Sequence, residues 1–359
     1  MKKLLFVLFL IGTFYAKAQV ENIIIVTTDG FRWQEVFKGM DSAIAVQWKY
    51  NKGDSAYIFK KYWDDNVEER RKKLFPFIWG TMAAKGQVYG NRTLGNNVNV
   101  FNPYWFSYPG YSELMCGYVD TAIHSNLYKP NPNTNLLDYL NQQPKFKNRV
   151  AAFGAWNAFE RILNQAKSKF PVVNAFDSCG NGKPNANEKL INDMLKNSIQ
   201  RFGVEECYDV FTHFEAMEYL KNKHPKVLYI AYGETDEWAH DEKYKTYLDA
   251  AHQVDNWLQQ LWEYIQSSPQ YKNKTALLIT VDHGRGDYKK DEWTSHDFRI
   301  KGSDQIWFAV MAPNIKPLGE MKTQTQLYQR QIAQTIAHVL GTHFVAEHPV
   351  ADAIETVIK

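Results

Sequence analysis

Hydrophobic and polar positions along this 359-residue chain fall into two alternating kinds of block. The first kind is a short, continuous apolar run: Asn22 to Thr28 (NIIIVTT), Arg149 to Trp156, Lys226 to Tyr232, Ala276 to Val281 and Gln305 to Ala312. Runs of this length, rich in β-branched residues and bounded by turn formers, predict strands buried on both faces. Gln87 to Tyr89, Asn97 to Phe101 and Pro171 to Phe176 predict shorter strands. The second kind of block repeats with a helical period. In Lys243 to Gln266, residues Tyr247, Ala251, Val254, Leu258, Leu261 and Ile265 recur every three or four positions and make one apolar face. Leu74 to Lys85, Glu188 to Phe202 and Glu205 to Lys221 also read as helices. Thr325 reads as the N-cap of a last helix that runs to Leu340 and stops at Gly341. Residues 41 to 73 turn polar without a clear period and predict an irregular surface insertion. Asp120 to Asn135 and Ser178 to Asn187 are loops by composition.

Strands alternating with helices predict an α/β fold with a mainly parallel central sheet sandwiched between helices. No repeat or linker divides the chain, so one domain is expected over residues 19–359. Residues 1–18 read differently. Lys2-Lys3 is a basic start, Leu4 to Tyr15 an apolar stretch, and Ala16-Lys17-Ala18 a small-x-small cleavage site, the pattern of a secretory signal peptide. The apolar stretch is short for a membrane span, no Cys follows the cleavage site, and no later segment predicts a span. The expected location is therefore periplasmic or secreted.

The formal charge of +3 loses three positive groups with Lys2, Lys3 and Lys17. The remaining chain is near neutral and has no Lys/Arg block of the kind that tracks nucleic acid or anionic lipid. Its three cysteines are too few for a disulfide scaffold. Cys179 and Cys207 could pair in an oxidising compartment, which the sequence leaves open.

Ligands of α/β sheets bind beyond the carboxyl ends of the strands, and there the chain places residues of metal-ligand type. Asp29 follows the first strand, Asp236 follows Tyr232, and Asp282-His283 ends the Ala276 run. Asp236 and His240 are spaced i, i+4, so on a helix both side chains share one face and can share one cation, with His296 as a third ligand. Asp29, Asp282 and His283 would make a second set. Mixed nitrogen and oxygen donors with three imidazoles suit two Zn²⁺ ions, with Mn²⁺ as the alternative. Each residue also has an ordinary role: Asp29 and Asp236 as turn or helix caps, and each histidine as a core or surface side chain. Ser107, followed by Pro109 and with Gly117 ten residues on, reads as the N-cap of a short helix. At such a position free N–H groups bind phosphate, and contact with a cation would make the hydroxyl a nucleophile.

The motifs VTTDGFRW (26–33), FSYPGYSELMCGY (106–118), ETDEWAH (234–240), VDHGRG (281–286) and SHDF (295–298) occur in an order that resembles the alkaline phosphatase superfamily. They are most similar to its nucleotide pyrophosphatase/phosphodiesterase branch. The resemblance implies that Asp236, His240 and His296 hold one zinc, that Asp29, Asp282 and His283 hold the other, and that Ser107 is a transiently phosphorylated nucleophile. It implies a small-molecule phosphate ester substrate and an EC 3.1 type hydrolase. Two positions depart from that branch: Ser107 stands where Thr is usual, and Gly110 where Asn is usual. The branch's downstream Asn, which contacts the phosphoryl oxygen, has Asn126 and Asn131 as unmatched candidates. Tyr111 stands where a formylglycine sulfatase needs Arg. Arg32 and Arg285 are candidate substrate contacts. Trp33, Tyr104, Trp105, Tyr108, Trp238 and Trp293 flank the motifs and could stack a base or sugar. The alternatives are a phosphomutase, a sulfatase or phosphonate hydrolase of the same superfamily, and a non-catalytic binding protein of this fold.

Overall fold

The computed structural model describes residues 20–358; the signal peptide expected at 1–18 lies outside them. Eight strands form the main sheet: β1 (Asn22–Thr28), β2 (Gly86–Tyr89), β4 (Val150–Gly154), β5 (Val172–Asn174), β6 (Val227–Tyr232), β7 (Thr275–Thr280), β9 (Phe308–Met311) and β10 (Gly319–Glu320). Their spatial order is β10-β2-β9-β7-β1-β6-β4-β5. Only β9 runs against the others. A second sheet joins β11 (Thr325–Tyr328), β3 (Asn96–Asn99) and β8 (Gln305–Ile306). The mainly parallel α/β architecture expected from the apolar runs is present.

The continuous apolar character of β1 has a plain cause. It lies between β6 and β7, in register with both, and all seven residues are buried. A strand covered on both faces has no solvent side on which polar residues could alternate. The long helix Tyr244–Ser267 buries all six residues of its expected apolar stripe. Its Asp255 reaches across the core and accepts the N–H groups of Phe77 and Ile78 at 2.7 and 2.9 Å, fixing the start of the helical segment 78–85.

Several expectations need correction. Residues 41–73 are not irregular. They form four short helices, Ser42–Ala45, Trp48–Asn51, Ser55–Tyr62 and Val67–Leu74. The last is capped by the Asn66 side chain, with Glu68 and Glu69 in its first turn and Arg71 to Lys73 in its last, a charge order that favours the helix dipole. Thr325 begins β11, which pairs in parallel with β3, and the final helix starts later, at Gln331–Val339. The run Gln305 to Ala312 is split. Ile306 pairs with β3 and Phe308 with β2 and β7, so the chain passes from one sheet to the other at Trp307, whose buried indole donates to the Phe31 carbonyl at 3.0 Å. Cys116, Cys179 and Cys207 are buried free thiols, so Cys179 and Cys207 are not paired.

Candidate metal centre and nucleophile

The three central strands β7, β1 and β6 are neighbours, and their carboxyl ends deliver Asp282-His283, Asp29 and the segment leading to Asp236 to one place. His283 Nε2 lies 3.3 Å from Asp29 Oδ1, 3.4 Å from Asp282 Oδ2 and 3.9 Å from Asp236 Oδ1. On the other side of Asp236, Oδ2 is 3.1 Å from His240 Nε2, and Oδ1 is 3.6 Å from His296 Nε2. The helix Glu234–His240 puts Asp236 and His240 on one face, as their spacing requires.

The structure therefore brings all six residues together; one expected trio is found as such, and in the other Asp236 joins Asp29 and His283. Asp236, His240 and His296 form one set within ligating distance of one another, and Asp29, Asp236 and His283 form another. Asp236 belongs to both sets: its Oδ1 lies 3.9 Å from His283 Nε2 and 3.6 Å from His296 Nε2, and its Oδ2 faces His240. Asp282 adjoins the second set through Oδ2.

Each ligand on the Asp29 side has one donor atom satisfied by protein and one left bare. Asp282 Oδ1 accepts the Gly30 N–H at 3.1 Å, and Asp29 Oδ2 accepts the Tyr111 hydroxyl at 2.9 Å. His283 Nδ1 is 2.8 Å from the Gly284 carbonyl, which sets Nδ1 as the donor and turns the Nε2 lone pair inward. The leftover atoms Asp29 Oδ1 and Asp282 Oδ2 are buried with no hydrogen-bond partner. Buried carboxylate oxygens without partners are costly, and here they converge on one imidazole nitrogen. A divalent cation satisfies that arrangement, so the residues fit the metal that the motifs imply.

The charge balance agrees. Burial, reinforced by neighbouring Asp236, pushes the Asp29 carboxyl up, and burial with Asp29 does the same to Asp282. Burial works against a charged His283, yet Asp282 and Asp29 outweigh it and raise the imidazole to about 9. Burial also opposes ionisation of Asp236, but Arg285 and then His240 hold it well below the usual carboxylate range. His296 is pushed well below its ordinary value by burial, then by His283. A divalent cation would favour the ionised carboxylates and displace the extra proton from His283.

Close packing surrounds this cluster. Gly30 has φ +56°, and a Cβ there would lie 2.6 Å from Asp236 Oδ1 and 2.9 Å from His283 Cε1. A side chain would fill the space between the two sets and strain the backbone.

Ser107 is the first residue of the helix Ser107–Cys116, with Phe106 rather than Ser107 as N-cap and Gly117 in the left-handed conformation closing it. Its Oγ lies 3.4 Å from His283 Nε2. The expectation of free first-turn N–H groups is met only in part, at Ser107 N. Tyr108 N donates to Asn126 Oδ1 at 3.0 Å, Pro109 has no N–H, and Gly110 N bonds the Phe106 carbonyl. Gly110 presses on β7, since a Cβ at that position would overlap the Asp282 carbonyl. That contact leaves no room for a side chain at position 110.

Two arginines need separate treatment. Arg32 is buried and turned away from the cluster. Its guanidinium is bound to Glu35, with the Gly286 carbonyl at 3.3 Å and Asp287 at 3.6 Å, so it is not placed as a substrate contact. Arg285 does reach the cluster, where Nη2 bonds both the carboxylate and the carbonyl of Asp236, and its Nε and Nη1 are buried without partners. Of the six flanking aromatics, Tyr108 and Trp293 are core residues, and Trp33 and Trp238 are nearly so. Tyr104 and Trp105 stay half-buried next to Ser107.

Sequence reasoning missed a brace behind the nucleophile. Glu113, buried on the same helix, accepts the N–H groups of Phe101, Asn102 and Arg330 and the Asn102 amide. Asn102 Oδ1 in turn accepts from Tyr104 N and Trp105 N at 3.0 and 3.2 Å. This holds Trp105 at φ +56°, an uncommon conformation for a bulky residue. The Asn102-x-Tyr104 turn was a local signal that could have been read; the long-range bond to Glu113 had none.

Fold and site together describe an α/β protein with a centre fitted for divalent cations at the carboxyl edge of its sheet. The model of the metalloenzyme superfamily matches residues 157–344, and the chain belongs to that superfamily. Among solved structures, alkaline phosphatase PafA is similar with a TM-score of 0.59 at 9% identity, covering 95% of this chain and 99% of that one. The lipoteichoic acid synthase LtaP from Listeria monocytogenes aligns with a TM-score of 0.58 at 12% identity, covering 90% and 73%. A putative sulfatase from Bacteroides thetaiotaomicron gives 0.56 at 13% identity, covering 92% and 72%. These likenesses establish the alkaline phosphatase-like fold. A search of curated protein sequences finds no match.

Proposed function

We propose that this chain is an exported, metal-dependent phosphoric ester hydrolase, a phosphodiesterase or phosphatase, that works through a phosphoserine at Ser107. The observation that carries this reading is the position of Ser107 Oγ, 3.4 Å from His283 Nε2 and beside the bare oxygens of Asp29 and Asp282. Asp236, His240 and His296 would hold one cation, and Asp29, Asp282 and His283 with Ser107 the other, with Zn²⁺ favoured over Mn²⁺ by the three imidazoles. When bound, such ions supply Lewis acidity that lowers the pKa of a nearby hydroxyl and offsets charge on phosphate oxygens.

The chain's own residues do the rest. Ser107 Oγ attacks phosphorus in line, the phosphorus–oxygen bond to the alcohol breaks, and the alcohol leaves with a proton. Water then attacks the phosphoserine, the phosphorus–Oγ bond breaks, and the Ser107 hydroxyl is restored. Asn126 is the group we assign to the phosphoryl oxygen. Its Oδ1 is committed to Tyr108 N, which leaves its Nδ2 hydrogens as the donors beside Ser107. Arg285 holds Asp236 in place rather than meeting substrate. Tyr111, where formylglycine chemistry would need Arg, disfavours a sulfatase. Among the described residues no helix is long and apolar enough to cross a membrane; export rests on the leader at 1–18.

Hydrolysis of p-nitrophenyl phosphate, bis-p-nitrophenyl phosphate and p-nitrophenyl sulfate, with and without chelator, tests the reading. Chelator-sensitive release from a phosphate ester that is lost in Ser107→Ala is expected. Release from the sulfate alone, or full activity in Ser107→Ala, rejects it.

A further inference from the structure

The helix that carries Ser107 touches the candidate cation pocket at a second point. Tyr111 lies one turn beyond Ser107, on the same face, and is 1% exposed. Its ring packs edge-on against Phe159 at 4.8 Å between centroids, and Phe159 packs against Tyr229 at 5.7 Å. The ring is thus clamped, and its hydroxyl points at Asp29 Oδ2, 2.9 Å away. The hydroxyl is the donor of this bond and the carboxylate oxygen the acceptor. The consequence falls on the other oxygen. With one lone pair of Oδ2 engaged, Oδ1 is the Asp29 oxygen left free for a cation; it is bare and faces His283 Nε2 at 3.3 Å.

We propose that Tyr111 is a positioning residue that selects Asp29 Oδ1 as the cation ligand and ties the helix of Ser107 to that ligand. This rests on the metal-centred reading above. Hydrogen bonds behind a metal ligand fix its orientation, and losing one weakens metal binding roughly 10- to 100-fold. Tyr111 does so from the nucleophile's own helix, so ligand and nucleophile keep one spacing. The Tyr111 hydroxyl bonds Asp29 and not Asp236, His240 or His296, so its loss falls first on the cation that Asp29 holds.

Zn²⁺ titration of chelator-stripped protein by calorimetry separates the possibilities. The wild-type protein should take up two equivalents. Tyr111→Phe keeps the ring and removes one oxygen; it should keep one tight equivalent and bind the second about 10- to 100-fold more weakly. Thr235→Val is the control. It removes a hydroxyl that donates to the Asp29 carbonyl, touching the backbone but not the carboxylate, and should keep two tight equivalents at a lower unfolding midpoint. Two wild-type affinities in Tyr111→Phe, whatever its unfolding midpoint, overturn the proposal while leaving the hydrolase reading standing. A wild-type protein that binds no Zn²⁺ overturns the metal-centred reading itself.

Discussion

Gly110→Ala pits two known effects against each other at the point where the nucleophile helix meets the sheet. In a helix interior, alanine is better than glycine by about 1 kcal/mol, and on that ground the variant should be more stable. The structure argues the reverse. The new Cβ would overlap the Asp282 carbonyl oxygen and lie 2.9 Å from its carbon and 3.3 Å from Asp282 Cβ. The two nearest are backbone atoms just beyond the end of a central strand and cannot swing aside as a flexible side chain could. Restoring normal contact needs a shift of about 1 Å between helix and strand, and overpacking of this kind costs about 1–3 kcal/mol. The net expectation is a loss of up to about 2 kcal/mol, read as a lower denaturant midpoint at unchanged slope. The same shift carries Ser107 away from His283, and a misplacement of about 1 Å can cost roughly 100-fold in rate. Gly110→Ala should therefore lose much more kcat on p-nitrophenyl phosphate esters than stability. A variant as stable as wild type and equally active would refute the claim that this helix is pressed against Asp282 to set the nucleophile's position.

Three further predictions follow from other parts of the molecule. His240→Ala should lose one of two bound cations on dialysis and nearly all turnover, with the Asp29-side cation retained, as metal analysis against activity will show. Glu113→Gln puts an amide among donors that need an acceptor. It should loosen the 101–106 loop and raise KM or lower kcat for substrates with ring substituents, whereas wild-type constants would deny the loop a role. His213 is fully buried, with Nδ1 2.9 Å from the Tyr232 hydroxyl and Nε2 3.3 Å from Gln260, and burial takes its pKa down to about 3. The unfolded chain binds a proton below about 6.5 and the folded chain does not, so stability is full above that pH and falls on acidification by about 1.4 kcal/mol per pH unit. Chemical denaturation of His213→Phe should show a shallower loss between pH 6 and pH 4 than wild type.

The strands that make the site were readable because their surroundings leave no choice. Asn22 to Thr28 is apolar throughout since both faces are covered, and Asp29, Asp236 and Asp282-His283 stand at the edge where such strands stop. What the sequence withheld is spatial sorting. It assigned Asp236 to one trio, yet one side chain can lie within reach of two sets of ligands, and only packing shows that it does. Arg32 read as a candidate contact because it follows Asp29 closely; its commitment to Glu35, one helical turn on, was equally local and went unread. The 41–73 segment misled through lack of an apolar stripe, although Asn66 followed by acids and then bases announced a helix. Thr325 to Tyr328 is a strand because β3 lies beside it, a partner 229 residues away in sequence at Asn96 to Thr325. Tyr111 and Asn126 act through contacts that no spacing rule contains.

Covalent phosphorylation of Ser107 is tested directly by acid-quenched turnover of p-nitrophenyl phosphate, followed by peptide mass spectrometry. One phosphoryl group is expected on the peptide containing Ser107, absent after chelation and absent in Ser107→Ala. Steady turnover with an unmodified Ser107 peptide, or a phosphoryl group on another residue, would contradict it.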